Sequence, residues 1–149
     1  MDLERAIEIA AGAHRGQRDK AGEPFILHPL RVMNACSTRL EQIVAVLHDL
    51  VEDSDWTLED LRREGLAEDL VAAVDAMTRR EGESYADFVD RAARNPIART
   101  VKIADLRDNL DMTRIAEPTR SDLQRSHVRR RMIWNRRPEF GLEGSGSVG

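Results

Sequence analysis

Four ionisable residues stand close together at the end of a strongly apolar segment, residues 40–52 (LEQIVAVLHDLVE). They are His48, Asp49, Glu52 and Asp53. Side chains three and four residues apart are neighbours on a helix, so helical spacing would place all four along one flank. Burying such charges without compensation would cost several kcal/mol each. A divalent cation held by the His48-Asp49 pair would neutralise the group and leave the two later acids to hold or deprotonate a water molecule.

The same four residues would also fit a solvated helix end with a capping histidine and three surface acids. A second segment, residues 100–112 (TVKIADLRDNLDM), shifts the balance towards the metal. Lys102, Asp105 and Asn109 lie on one stripe of its predicted helix, where a carboxylate beside a cation and an amide suits metal and phosphate binding. Taken alone, this segment favours an ordinary amphipathic face with a Lys–Asp pair, so the inference depends on the two segments together.

Helices must position these residues, because apolar residues recur at helical spacing along almost the whole chain without the alternation that marks a strand. We therefore predict an all-α fold, a single helical bundle. Asp2 is predicted to cap the first helix, His28 to cap a helix that begins at Pro29, and Thr57 with Asp60 to form a capping box. The predicted helices are 3–13, 29 to about 38, 40–52, a short helix after Thr57, 68–78, 85–94, 97–112 and 121–134, with a polar loop over 15–24.

Composition narrows the function further. The chain has 149 residues, with 23 Lys and Arg against 27 Asp and Glu. We expect one domain over residues 1–137 and a flexible tail over residues 138–149. The net charge of -4 argues against broad sequence-independent binding to nucleic acid, with the basic run 125–137 (RSHVRRRMIWNRR) as the local exception.

The chain also lacks several signals of other protein classes. Its single cysteine, Cys36, excludes an intrachain disulfide and a cysteine-based zinc site. A signal-peptide pattern and an apolar run of about 18 residues are both missing, so we expect a cytoplasmic protein without membrane association.

His28, His48-Asp49 and Asp105 together form the pattern His…His-Asp…Asp, with separations of 20 and 56 residues. This pattern resembles the HD superfamily of metal-dependent phosphohydrolases. The chain also resembles the hydrolase domain of the RelA/SpoT alarmone enzymes, over roughly residues 2–135, and in length it is similar to the stand-alone small alarmone hydrolases. The segments that carry the closer resemblance are AHRGQ (13–17), GEPFILHP (22–29), LHDLVEDS (47–54) and VKIAD (101–105).

The resemblance implies an all-helical hydrolase that uses one Mn²⁺ per chain to remove the 3′-pyrophosphate from purine alarmones such as (p)ppGpp or (p)ppApp. A ligand set of imidazoles and carboxylates suits manganese, whereas a thiolate-rich set would suit zinc. The resemblance implies that the metal ligands are His28, His48, Asp49 and Asp105. It implies that the acids Glu52 and Asp53 are catalytic, activating water and returning a proton to the leaving oxygen. It also implies that Asn109 lies at the sugar-phosphate. We expect Lys20 and Lys102 to add positive charge beside the phosphates.

One short run departs from the family pattern. Alarmone hydrolases that act on guanosine carry Arg-Lys-Ser before Gly-Glu-Pro, and that arginine stacks on the base, whereas this chain has Asp19-Lys20-Ala21. A carboxylate cannot stack on a base as a guanidinium does, so the preference between guanine and adenine stays open. Arg18 either takes the stacking role or is a solvated loop residue.

Three other functions stay open. The chain could be an HD phosphohydrolase that acts on another nucleotide, such as NADPH with its ribose phosphate, or a nucleoside monophosphate. It could be a catalytically silent sensor that binds alarmones, although the intact Glu52-Asp53 pair argues against this. Binding to RNA through residues 125–137 would give an affinity that falls steeply with salt. We expect no synthetase domain.

Overall fold

Helices make up the regular structure of residues 1–111, which are the residues that the computed structural model describes. Within that range the backbone forms no strand, only an isolated bridge between Arg18 and Pro24. The predicted all-α fold is therefore confirmed. In chain order the helices are α1 (Leu3–Ala13), α2 (Leu27–Asn34), α3 (Arg39–Leu47), α4 (Leu50–Asp53), α5 (Leu58–Arg63), α6 (Glu68–Met77), α7 (Tyr85–Arg94) and α8 (Pro96–Asn109).

Several predictions concern residues beyond position 111. The predicted helix 121–134, the basic run 125–137 and the predicted tail 138–149 lie outside the described residues. Among residues 1–111, no helix combines the length and the apolar character that crossing a membrane requires.

Side-chain caps fix where several helices begin. The carboxylate of Asp2 accepts the backbone N–H of Arg5 at 2.8 Å, as predicted for α1. The predicted capping box at α5 is also confirmed: the Thr57 hydroxyl accepts the N–H of Asp60, and the Asp60 carboxylate accepts the N–H of Thr57. Each cap satisfies an N–H group that has no partner inside its own helix.

Thr57→Ala is expected to lower the free energy of unfolding by about 0.5–2 kcal/mol, because it removes the acceptor for one of these N–H groups. Urea denaturation of the two proteins measures the difference. Thr100→Ala is the matched control, since the Thr100 hydroxyl only reaches the Pro96 carbonyl within α8 at 3.4 Å. Equal destabilisation by the two substitutions would contradict a capping role for Thr57.

The start of α2 differs from the prediction. The helix begins at Leu27 after the N-cap residue Ile26, so His28 lies inside the first turn and is not the N-cap. The chain is already wound before Pro29, because the N–H groups of Leu27 and His28 donate to the carbonyls three residues earlier. Pro29 is tolerated there because N–H groups of the first turn have no helical partner to lose.

The predicted single helix 40–52 is also wrong, because the chain divides it into α3 and α4 at His48-Asp49. A capping box that the prediction missed, formed by Thr38 and Glu41, starts α3. The Nδ1 atom of His48 lies 2.7 Å from the carbonyl oxygen of Ala45, the atom that would accept the N–H of Asp49 in an uninterrupted helix. The dipeptide therefore lies on a turn that its own histidine helps to hold.

Helix α3 is the central element of the core. Its residues 43–47 are all buried, and it packs against α1, α2, α6 and α8. Helix α8 is buried from Val101 to Leu106 and also packs against α2. Because α2, the end of α3 and α8 are mutual neighbours, polar side chains that point inward from these three elements must meet.

Candidate metal and substrate site

Two histidines and two aspartates from three parts of the fold meet at one point. His28 comes from α2, His48 and Asp49 from the turn after α3, and Asp105 from α8. His28 Nε2 lies 3.4 Å from Asp49 Oδ2 and 3.2 Å from Asp105 Oδ1. His48 Nε2 lies 3.1 Å and 3.6 Å from the same two oxygens. Donor atoms of His28, His48 and Asp49 all lie within 4.8 Å of one another, so this group could hold a metal ion.

His48 shows how well the group fits a cation. Its Nδ1 faces the carbonyl oxygen of Ala45, which can only accept, so Nδ1 carries a proton. Its Nε2 is buried without a hydrogen-bond partner among the residues that the structure describes, yet it faces two carboxylates. A proton or a metal ion at Nε2 would offset the repulsion between the ring nitrogen and the two carboxylates. The chemistry of the donors therefore fits a divalent cation.

The electrostatics of the group point the same way. Burial by itself would lower the pKa of His28 and His48, but the surrounding carboxylates outweigh it and raise the pKa of both. Burial would raise the pKa of Asp49, but the charge of His48 outweighs it and lowers that pKa. Protons would therefore compete with a metal ion for the imidazoles, and any metal binding would weaken as the pH falls.

Asp105 is held by two residues that were predicted to bind substrate. The Nζ atom of Lys102 donates to Asp105 Oδ2 at 2.8 Å, and the Nδ2 atom of Asn109 donates to Asp105 Oδ1 at 2.7 Å. Lys102 is only 6% exposed, and its Nζ lies 4.7 Å from the ring centroid of Phe88. Although burial opposes the charge of Asp105, Lys102 and the two histidines hold the pKa of this carboxyl well below its usual range. Lys102 and Asn109 therefore hold the carboxylate of Asp105, a candidate metal ligand. Their contact with substrate stays a prediction.

A cavity of about 840 Å³ opens in front of this group, within the size range of small-molecule sites. His48 lies behind the cavity wall, fully buried. Every other residue predicted for the site lines the cavity: Arg18, Lys20, His28, Asp49, Glu52, Asp53, Lys102, Asp105 and Asn109. The sequence therefore identified residues that the fold brings to one place.

Glu52 and Asp53 lie on α4, beside Asp49. A Glu52 oxygen accepts the backbone N–H of Arg79. Partial loss of solvent and the nearby charge of Asp49 raise the pKa of both carboxyls. The two acids therefore line the cavity with an increased tendency to carry a proton, and their catalytic roles stay a prediction.

The loop that Arg79 belongs to is fastened by Arg91 of α7. Its guanidinium donates to both carboxylate oxygens of Glu83, at 2.8 and 2.9 Å, and to the carbonyl oxygens of Asp75 and Thr78. This clamp holds the 78–84 loop, and with it the N–H that Glu52 accepts, against the end of α6.

Glu83→Gln is expected to flatten the acid limb of the stability profile. The hydrogen bonds from Arg91 lower the pKa of Glu83 from 4.5 to about 2. A carboxyl with a lowered folded-state pKa contributes stability above its unfolded pKa, and this contribution is lost as the pH falls from 4.5 to about 2. Urea denaturation of wild type and variant across that range measures the effect. Arg91→Gln should remove the same dependence, and an unchanged slope in both variants would contradict the clamp.

The loop before α2 explains the position of Asp19. Its Oδ1 atom accepts the backbone N–H groups of Ala21 and Glu23, at 2.9 and 3.0 Å, so this carboxylate supports the turn. Arg18 donates to the carbonyl oxygen of Gly22 at 3.2 Å, and Gly22 adopts a φ of +82° that glycine accommodates without strain. Asp19 and Arg18 both line the cavity next to Lys20.

Several residues that line the cavity had no predicted role in the site, among them Arg31, Arg79, Tyr85 and Asp108. Helical spacing carried a signal for two of them, since Arg31 follows His28 and Asp108 follows Asp105 by three residues. Tyr85 begins α7. It lines the cavity, with the guanidinium carbon of Arg79 5.9 Å from its ring centroid.

Comparison with known proteins places the chain in a family by sequence and fold, although no family model matches it. The chain is 31% identical over 121 residues to a guanosine-3′,5′-bis(diphosphate) 3′-pyrophosphohydrolase of Aquifex aeolicus, which covers 73% of this chain and 17% of that protein. It is 33% identical over 131 residues to a probable GTP pyrophosphokinase of Mycobacterium leprae, with 78% and 16% coverage. It is also 33% identical over 128 residues to the bifunctional (p)ppGpp synthase/hydrolase RelA of Mycobacterium tuberculosis, with 78% and 17% coverage.

The chain thus spans only 16–17% of the length of these relatives. A solved structure, described as a metazoan ortholog of SpoT that hydrolyzes ppGpp and plays a role in starvation responses, shares the fold. Its TM-score is 0.71 at 24% identity, with 89% of this chain and 83% of that chain covered. By sequence likeness and fold, the chain belongs to the RelA/SpoT hydrolase-like HD-domain proteins.

Proposed function

We propose that the chain is a Mn²⁺-dependent hydrolase that removes the 3′-pyrophosphate from purine alarmones such as (p)ppGpp or (p)ppApp. The observation that carries the proposal is the meeting of His28, His48, Asp49 and Asp105 beside one cavity. The relative from Aquifex aeolicus, named for 3′-pyrophosphohydrolysis, supports the reaction class.

The four converging residues would hold the metal ion, one per chain. Imidazole nitrogens and carboxylate oxygens are donors that Mn²⁺ accepts. When bound, the ion would polarise a phosphoryl oxygen and make water more acidic. Lys102 and Asn109 would keep Asp105 ionised and oriented, since both donate to its carboxylate.

Glu52 and Asp53 would act as the general base and general acid of the reaction. The oxygen of water bonds to the phosphorus nearest the ribose, and the bond between that phosphorus and the 3′-oxygen breaks. A carboxylate of the pair takes the proton that the water loses, and the 3′-oxygen takes up a proton as pyrophosphate leaves. Proton transfer is most efficient when the pKa of the group lies near the working pH, and the raised pKa of Glu52 moves it in that direction.

The mouth of the cavity would bind the remaining phosphates. Arg18 and Lys20 are exposed there and line the cavity on the side of the 15–24 loop. Their positive charges offset the acids deeper in the site. Asn109 would approach the sugar-phosphate. Asp19, which stands where a base-stacking arginine is expected, supports the turn instead. The choice between guanine and adenine is therefore a question for the nucleotide panel below.

A panel of ppGpp, ppApp and NADPH, assayed with and without Mn²⁺ by product analysis, tests the function. We expect pyrophosphate release from a purine alarmone, loss of activity on chelation and recovery with Mn²⁺. Glu52→Gln should lower the rate by roughly 10²–10⁴-fold, whereas Glu59→Gln, an exposed carboxylate on α5, should not. Phosphate release from NADPH alone would instead favour a different nucleotide, and tight alarmone binding without turnover would favour a sensor.

A further inference from the structure

Asp108 lies one turn after Asp105 on α8, and neither the sequence pattern nor the proposed chemistry gives it a role. Its side chain is 13% exposed, and its Oδ2 atom lies 2.7 Å from His28 Nδ1. Arg31 approaches the same carboxylate from α2, donating from Nε to Oδ1 at 2.7 Å and from Nη2 to Oδ2 at 3.1 Å. The carboxylate therefore bridges two helices through a histidine and an arginine.

The contact with Asp108 decides which nitrogen of His28 is available. An ionised carboxylate only accepts, and the 2.7 Å contact of Nδ1 is shorter than the two contacts of Nε2, so the neutral His28 ring carries its proton on Nδ1. In the neutral ring the lone pair is then on Nε2, the atom that faces Asp105 Oδ1 and Asp49 Oδ2 at 3.2 and 3.4 Å. A carboxylate on the outer nitrogen also makes the inner nitrogen a stronger donor to a metal.

The two histidines of the group are supported in different ways. His48 donates its Nδ1 proton to a backbone carbonyl, that of Ala45, which no substitution at Ala45 removes. His28 depends on a side chain eighty residues away in sequence. Arg31, which lies three residues after His28 on α2, contacts both oxygens of that side chain and fixes its orientation. The His28 arrangement is therefore the one that mutation can test.

We propose that Asp108 is a positioning residue for the metal centre, which holds His28 in the tautomer and orientation that a metal ion requires, with Arg31 holding Asp108 in turn. The proposal rests on the metal site of the proposed function. It adds a residue that acts through His28 and does not touch the reacting atoms.

Isothermal titration of the full chain with Mn²⁺ tests this role directly. Asp108→Ala should weaken Mn²⁺ binding by roughly 10- to 100-fold, the usual effect of losing such an outer partner. Asp108→Asn should bind with intermediate affinity, because the amide oxygen still accepts the Nδ1 proton but carries no charge. Asp75→Asn is the matched control, since it alters the same side-chain type in a surface ion pair with Arg80 and should leave the affinity unchanged.

A second readout works on the metal-free protein. The ¹⁵N NMR shifts of the His28 ring, recorded at alkaline pH where the imidazole is neutral, should report a protonated Nδ1 in the wild type. They should report a shift towards a protonated Nε2 in Asp108→Ala, because Asp49 and Asp105 still face Nε2 once the Asp108 carboxylate is gone. Melting temperatures identify any variant that simply fails to fold, and the Asp108→Asn variant then carries the comparison.

Two outcomes would overturn the proposal: unchanged Mn²⁺ affinity in Asp108→Ala, or an unchanged His28 tautomer in that variant. Failure of the proposed function is a separate result. A wild-type chain that binds Mn²⁺ but hydrolyses no alarmone would refute the activity and leave the positioning role standing. A wild-type chain that binds no Mn²⁺ would overturn both.

Discussion

Asp49→Ala and Asp105→Ala are each expected to reduce alarmone hydrolysis by about 10³-fold or more. The expectation follows from the several kcal/mol of transition-state stabilisation that a metal ion supplies, of which about 4 kcal/mol corresponds to that factor. Each substitution removes one of the two carboxylates that face both imidazoles. The same variants should lose Mn²⁺ affinity, since each substitution removes a carboxylate that would hold the ion.

The measurement is kcat/KM for the best nucleotide of the panel at saturating Mn²⁺, together with Mn²⁺ titration of each variant. Asp55→Ala is the control, because Asp55 is an exposed carboxylate close in sequence that does not line the cavity. Melting temperatures separate loss of the site from loss of the fold. Retention of most activity by Asp49→Ala or Asp105→Ala would refute the assignment of that residue as a ligand.

Lys102→Met is expected to destabilise the protein by about 3–5 kcal/mol, the typical cost of removing one partner of a buried ion pair. The Asp105 carboxylate would stay buried at 4% exposure without the ammonium 2.8 Å away. Methionine keeps most of the aliphatic stem that packs beside Phe88, so the loss should reflect charge more than volume. Urea denaturation gives the free energy of unfolding.

A double-mutant cycle isolates this effect. Asp105→Asn removes the charge that Lys102 compensates, so the double variant Lys102→Met/Asp105→Asn should lose less stability than the two single losses added together. Lys20→Met, at the exposed mouth of the cavity, should change stability by no more than about 0.5 kcal/mol. If Lys102→Met instead leaves stability unchanged and raises only KM, then Lys102 acts on substrate and does not support Asp105.

The sequence by itself determined the chemistry-bearing residues and most of the helices that carry them. Capping residues such as Asp2 and Thr57 mark helix starts because they satisfy N–H groups within three residues, and such local contacts are visible in a linear pattern. The resemblance of the His28, His48-Asp49 and Asp105 pattern to the HD superfamily identified the cluster, whose residue types suit a metal. Packing of the apolar faces then brought them beside one cavity.

Only the tertiary structure decided which polar side chains of the site are buried and which distant partners they meet. Lys102 donates to Asp105 and not to open solvent, because α8 turns that face towards the core. Asp108 meets His28 and Arg31 across separations of 80 and 77 residues, which depend on how α2 packs against α8. The break at His48-Asp49 involves a contact within one turn, between the buried His48 side chain and the carbonyl oxygen of Ala45, but the helical periodicity continues through the dipeptide and gives no sign of it. Local patterns report residues within a turn or two of one another, whereas the contacts of Asp108 and the burial of Lys102 and His48 depend on how whole helices pack.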